Sequence, residues 1–293
     1  MKTIIKQRYS MGFVKPFSKI NGSIIMVILG LLASACGQSG SETGGLVDAN
    51  EPVSPQPNLG EQQGVLEQNL PVPNNQQTDY FRVILYGNSH VSGLPSLIQL
   101  LINTGVPQVR VEVKNVGGGF LDESYYNDAY QARLTATPWT HAIFQGQKYS
   151  QSGTSIYPTT AAQKWLDKAK SLGITPILFP EHPQDGKLEE GEYVYQLHQG
   201  ITSMQSSCLA PIPLVWERVI QLLPDVHLHA PDGNHASSLG NFLTALVFYE
   251  VITGRSADLL PYLSNIAISE QIQSIFGQVV SEVLADKPAC PTF

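Results

Sequence analysis

From Tyr80 onward, apolar residues fall into two alternating rhythms. Phe81-Arg82-Val83-Ile84-Leu85-Tyr86 is a short β-rich run ending at Gly87, which predicts a strand buried on both faces. Leu94 to Leu101 then carries apolar residues at helical spacing. Val109–Val113 alternates with Arg110 and Glu112 and predicts a second strand, and Ala142-Ile143-Phe144 predicts a third. A helix over Ala161–Leu172 and a fourth strand over Ile174–Phe179 follow. Further on, the pattern predicts a helix around Leu214–Leu223 and a short strand Val226-His227-Leu228. A helix starting near Ser237 presents Leu239, Phe242, Leu243, Leu246 and Val247, and a last helix runs over Ile266–Leu284. Strands alternating with helices of this length predict a three-layer α/β/α sandwich around a mainly parallel sheet. In such sheets the ligand site lies beyond the carboxyl ends of the strands.

Upstream the pattern is different. Lys2, Lys6, Arg8, Lys15 and Lys19 form a basic segment without an acid, and an apolar run from Ile24 to Ala33 follows. That run is shorter than the ~20 residues a membrane-spanning helix needs. With the small residues before Cys36 it reads as a signal peptide over residues 1–35. Leu32-Ala33-Ser34-Ala35-Cys36 resembles a bacterial lipobox, which implies acylation of Cys36; ordinary cleavage after Ala35 is the alternative. By the same resemblance, Gln38 implies the outer membrane of a bacterial envelope. Residues 37–79 contain no aromatic and no basic residue, so they cannot bury enough apolar surface to offset chain entropy. They read as a flexible tether over 36–79, ahead of a folded domain over 80–293.

Composition adds modestly to this. Hydrophobic residues make up 42% of the 293, which suits a packed core, while only 14% are charged. Removing residues 1–35 takes five of the 17 basic residues and none of the 24 acids, so the remaining charge is 12 − 24 = −12. Such a chain has no field to attract nucleic acid or an anionic membrane, which leaves the lipid on Cys36 as the membrane attachment. Beyond Cys36 only Cys208 and Cys290 remain, and in an oxidising compartment they are a candidate disulfide.

Candidate chemistry sits at the ends of the predicted strands. Gly87-Asn88-Ser89-His90 lies between the first strand and the first helix, where a serine hydroxyl projects over the sheet edge. Asp232-Gly233-Asn234-His235 precedes the helix at Ser237. An imidazole can deprotonate a serine, and a carboxylate on its other nitrogen fixes the tautomer. Asn115-Val116-Gly117-Gly118-Gly119 follows the second strand, and Gln145-Gly146-Gln147 the third. His227 and His229 alternate like metal ligands but lack a third partner at convincing spacing, so no metal is expected. Phosphate-loop and dinucleotide fingerprints are absent, and no cofactor is expected.

In order and context these four segments resemble the blocks of the SGNH hydrolase superfamily, the GDSL-type esterases, over roughly Tyr80 to Gly254. The resemblance implies a serine esterase acting through an acyl-enzyme, with Ser89, Asp232 and His235 as triad. It implies an oxyanion hole of the Ser89 N–H, the Gly118 N–H and the Gln145 amide, with Gln147 as second choice. Two departures stand out: Asn88 replaces the usual Asp, and Lys148 falls at the spacing of a usual Asn. The Gln-Gly-Gln segment resembles the branch with carbohydrate acetylesterases, implying an O-acylated glycan or another short ester as substrate. An O-acyltransferase and a glycan-binding lipoprotein without activity are the alternative readings.

Overall fold

The computed structural model describes residues 68–292; the signal peptide, Cys36 and the first part of the tether lie outside the described residues. The elements run β1 (Tyr80–Gly87), α1 (Pro95–Gly105), β2 (Arg110–Gly118), α2 (Leu121–Tyr125), α3 (Asp128–Thr135), β3 (His141–Gln145) and α4 (Thr160–Ser171). Then come β4 (Thr175–Phe179), α5 (Leu188–Met204), β5 (Cys208–Leu209), α6 (Ile212–Leu222), α7 (Ser238–Thr253) and α8 (Glu270–Asp286). The five strands form one parallel sheet in the order β2-β1-β3-β4-β5.

Each central strand is apolar through its middle because it feeds two cores. Phe81, Val83 and Leu85 of β1 join Ile143, Ile177 and Phe179 in a core closed by α1, α6, α7 and α8. Ile84 and Tyr86 join Phe144 and Leu178 in a second core on the other face, closed by Leu134, Trp165, Tyr195 and Ile201. This is the strand period of two written out in burial. The sandwich is the architecture the sequence predicts, with three differences.

The first concerns Val226–Leu228, which adds no strand to the sheet; the fifth strand is instead β5, two residues long. Leu228 is buried, and the neighbouring His229 makes an isolated antiparallel bridge to Ala236 that closes the loop between them. The second is α5, a helix of 17 residues that the hydrophobic pattern does not announce. The third is the end of the tether. Residues 68–79 are fastened to the domain by side-chain amides: Asn75 Nδ2 donates to Thr140 O, Gly173 O and Thr175 Oγ1, and Gln76 Nε2 to Val251 O. Asn69 Oδ1 accepts from the Lys170 ammonium at 2.7 Å and from the Ser206 N–H. Composition calls this stretch a free linker, yet hydrogen bonding makes it part of the domain.

Cys208 and Cys290 are joined as a disulfide across a sequence separation of 82 residues, and Leu209 N–H donates to Ala289 O beside it. Closing a loop of that length removes roughly 4.5 kcal/mol of unfolded-state entropy.

Buried imidazoles make the fold acid-sensitive. Burial lowers His141 and His182 to about 3 and His198 to about 4. In the unfolded chain these groups take up protons near pH ~6.5, whereas in the folded chain they do so only below about 4. The unfolded state therefore binds more protons across that window, and stability falls as the pH drops through it. Glu181 and Glu250, raised by burial, act in the opposite sense above the ordinary carboxylate range and offset part of this loss. Thermal unfolding at pH 5 is expected to show a loss on the order of 2–5 kcal/mol relative to pH 7.5; equal stability at both would contradict these burial shifts.

Candidate active site

The nucleophile turn is built from β1 outward. Gly87 has φ +156°, and a Cβ there would lie 2.4 Å from Gln145 Oε1 and 2.9 Å from Val91 Cγ1. Only glycine lets the strand end pass this close to its neighbour. Asn88 N–H donates to Gln145 Oε1 at 2.9 Å, and Asn88 Oδ1 accepts the His90 N–H at 3.0 Å, opening a short 3-10 turn over Ser89–Val91. The cap requires only an acceptor oxygen, so Asn88 performs it as Asp would. Ser92 Oγ donates to Ser89 O at 2.7 Å and closes the turn, leaving the Ser89 side chain exposed.

The partner loop hangs between the His229–Ala236 bridge and α7. Ala230 N–H donates to His235 O at 2.7 Å, and Gly233, at φ +69°, donates to Ala230 O. Asp232 Oδ1 accepts the N–H groups of Asn234 and His235 at 3.0 and 2.9 Å. Its Oδ2 accepts from His235 Nδ1 at 2.6 Å, and His235 Nε2 lies 2.7 Å from Ser89 Oγ. The hydrogen bond to the His235 ring, then those from the His235 and Asn234 backbone, hold the Asp232 carboxyl well below the usual carboxylate range. It is an anion throughout the neutral range, and its bond keeps the His235 proton on Nδ1 and the Nε2 lone pair toward Ser89. The His235 and Asp232 side chains are 41% and 52% exposed, so the arrangement opens to solvent.

The loop between β4 and α5 braces this arrangement from behind. His182 Nε2–H donates to Asn234 O at 3.0 Å, Asp185 N–H to Gly233 O at 2.8 Å, and His229 Nε2–H to Pro183 O at 2.8 Å. The His182 ring stacks on Trp216 with centroids 3.8 Å apart. His90 stacks on His235 at 5.2 Å. Burial lowers His90 to about 4, with His235 adding to the fall and Asp232 opposing it, so a neutral ring faces the His235 imidazole at neutral pH. Glu181 and His182, at the carboxyl end of β4, serve as internal supports.

The oxyanion candidates divide. Gly118, at φ +118°, pairs in register with Gly87, and a Cβ on it would lie 2.9 Å from Ser124 Cβ. Gly119 N–H is already committed to Gly87 O at 3.2 Å. Gln145 does not reach the reaction side: it is fully buried, its Oε1 accepts from Asn88 and its Nε2 donates to Glu181 Oε2 at 2.8 Å. Gln147 fares no better, since its Nε2 donates to Lys148 O and Pro158 O. Both glutamines are thus corrected from oxyanion donors to supports, because the strand end turns one inward and the following loop occupies the other.

Glu181 explains how Gln145 is oriented. Glu181 Oε2 accepts from the Gln145 amide, which turns its NH2 toward Glu181 and its oxygen toward Asn88 N–H. Burial raises the Glu181 carboxyl, opposed by hydrogen bonds from Tyr149 and Gln145. Gln145→Ala strips a partner from a buried N–H and from Glu181, and is expected to cost about 2–4 kcal/mol of stability in chemical denaturation along with lowered turnover. Undiminished stability with turnover down ~100- to 1,000-fold would instead mark Gln145 as a direct oxyanion donor.

Of the aromatic residues on and around α2 and α3, Trp139 is buried and its Nε1 donates to Arg133 O, Tyr125 packs edge-on against Trp165, and Tyr130 lies near Gly118. Tyr126 alone of these faces outward. His141 is a core residue beside Thr140 Oγ1, and Lys148 pairs with Asp122 at 2.8 Å and Glu123 at 3.2 Å.

The chain matches no protein-family model and no curated protein. Its fold is that of solved proteins. It is similar to a DUF4886 family protein from Bacteroides uniformis, with TM-score 0.55, 11% identity, and 73% of this chain and 97% of that chain covered. It is also similar to an SGNH hydrolase from Slackia heliotrinireducens, with TM-score 0.46 and 21% identity over 58% of this chain and 98% of the other. A family 3 carbohydrate esterase from Clostridium thermocellum is similar at TM-score 0.43 and 9% identity, over 58% and 94% of the two chains. The architecture it shares with the Bacteroides uniformis protein is a three-layer α/β/α sandwich around a parallel sheet.

Proposed function

We propose that the protein is a serine esterase that hydrolyses short acyl esters through an acyl-enzyme. The observation that carries this reading is the unbroken line of contacts from Ser89 Oγ to His235 Nε2 at 2.7 Å and from His235 Nδ1 to Asp232 Oδ2 at 2.6 Å. His235 takes the Ser89 proton as Oγ attacks the ester carbonyl, and the imidazolium that forms is stabilised by Asp232. The oxyanion accepts hydrogen bonds from the Ser89 and Gly118 N–H groups, each such donor being worth ~3–4 kcal/mol in the transition state. His235 then protonates the leaving alcohol and deprotonates the water that releases the acid. The solvent exposure of His235 and Asp232 favours water over a second alcohol as acceptor.

Acylation of Cys36 would hold the domain at the bacterial envelope, outer membrane favoured, with residues 37–67 as the spacer. In that reading palmitate labelling of the chain disappears in Cys36→Ala, and labelling that persists would refute the anchor. For the activity, acid release is measured from aryl esters of increasing acyl length and from acetylated glycans. Turnover of the acetyl members supports the reading, and inertness to every ester would end it.

A further inference from the structure

A cavity of about 320 Å³ lies between α2 and the loop leading into α4. That is at the lower end of the ~300–1,000 Å³ of small-molecule sites. Asp122, Tyr126, Gln147, Lys148, Tyr157 and Pro158 line it. The two tyrosines are 67% and 40% exposed; the Tyr126 ring rests edge-on against Tyr125 at 5.3 Å, with Lys164 Nζ 5.4 Å from its centroid. The cavity adjoins the proposed oxyanion turn. Lys148 Nζ sits 4.9 Å over the ring of Phe120, which directly follows Gly118 and Gly119, and Leu121 N–H donates to Gly146 O at 2.9 Å. Gln147, bonded to Lys148 O and Pro158 O, fixes the rim.

We propose that this cavity is the subsite for a neutral saccharide unit, the part of the substrate that carries the ester. The chemistry of the lining decides the class. A pyranose offers an apolar C–H face to an aromatic ring and a rim of hydroxyls to polar groups. Tyr126 and Tyr157 supply the rings, while Asp122 and Lys148 supply an acceptor and a donor at the edge. A long acyl chain would strip water from the Lys148–Asp122 pair and return no hydrogen bond, at a net cost. An anionic polymer would meet Asp122 and Glu123 on a chain with 24 acids against 17 basic residues.

As a substrate assignment this rests on the esterase reading, so the test separates the two. The wild type, Tyr126→Ala, Tyr157→Ala and Tyr126→Phe are assayed with p-nitrophenyl acetate and with acetylated xylotetraose and cellotetraose. Each alanine variant is expected to lose about tenfold or more in kcat/KM on an acetylated oligosaccharide, mainly through KM. p-Nitrophenyl acetate should be turned over unchanged, and Tyr126→Phe should keep its ring contact and most of its activity on the glycan. Equal losses on both substrate types, or no loss on any glycan, would overturn the subsite. Because Tyr126 is so exposed, its replacement should leave the fold intact, and a thermal melt checks this. A wild type inert to every ester, p-nitrophenyl acetate and acetylated oligosaccharides alike, would refute the esterase reading alone. The subsite is then judged by calorimetry of unacetylated xylotetraose, cellotetraose and chitotetraose with the Ser89→Ala protein. Binding weakened by Tyr126→Ala and Tyr157→Ala supports it, and no binding of any of the three overturns it.

Discussion

Ser89→Ala is expected to lower kcat on p-nitrophenyl acetate by about 10⁵–10⁶-fold while leaving the thermal unfolding curve in place. The size of the loss follows from what one oxygen does. Without Oγ there is no nucleophile to form the acyl-enzyme, and His235 has no proton to accept. In the proposed mechanism the backbone donors at Ser89 and Gly118 survive, so residual turnover above the uncatalysed rate, roughly 10³–10⁴-fold, should come from them and from binding. Stability should move by no more than ~0.5 kcal/mol. The side chain is exposed and its Oγ is bonded to His235, whereas the turn is held by the Ser89 carbonyl, Asn88 and Ser92. A variant that kept its activity would remove Ser89 from the mechanism.

The second large effect is Asp232→Asn, with kcat/KM expected to fall about 10⁴-fold. An asparagine oxygen can still accept the N–H groups of Asn234 and His235 that Asp232 Oδ1 now holds at 3.0 and 2.9 Å, so the loop keeps its shape. Its NH2 then faces His235 Nδ1 where Oδ2 now sits at 2.6 Å. Two donors cannot pair, and the ring must shift its proton to Nε2, which points at Ser89 Oγ and abolishes the base. Asp232→Ala should in addition loosen the loop, because it removes the acceptor for both backbone groups. Kinetics on the three proteins, with a melt of each, separates the electronic from the structural contribution. Parity between Asp232→Asn and the wild type would show that Asp232 does not set the tautomer.

Much of this was legible in the sequence where burial and chemistry speak with the same residues. Strands that feed a core on each face must be apolar through their middles, so β1, β3 and β4 stand out as runs, and Ser89, Gly118 and Asp232 to His235 fall at strand ends or in the loops beside the sheet. Other parts were hidden for physical reasons. In α5 the inward positions include His198 beside Val194, Tyr195 and Ile201, and Gly191 packs against Pro183 and Pro213, so its buried stripe reads as polar and broken. The strap of residues 68–79 is held by amides of Asn69, Asn75 and Gln76, which in composition are indistinguishable from a linker. β5, at two residues, is too short to show a period. Gln145 was misjudged because sequence cannot say which way a strand-end side chain turns. With all five residues of β3 buried, it points inward to Asn88 and Glu181 and away from the substrate.

The measurement that bears most directly on the central claim is covalent labelling of the full-length protein with a fluorophosphonate, followed by mass mapping of the adduct. An activated serine flanked by a general base attacks phosphorus as it would an ester carbonyl. One adduct on the peptide containing Ser89, lost in His235→Ala, is the predicted result. No adduct, or an adduct mapped to another residue, would contradict it.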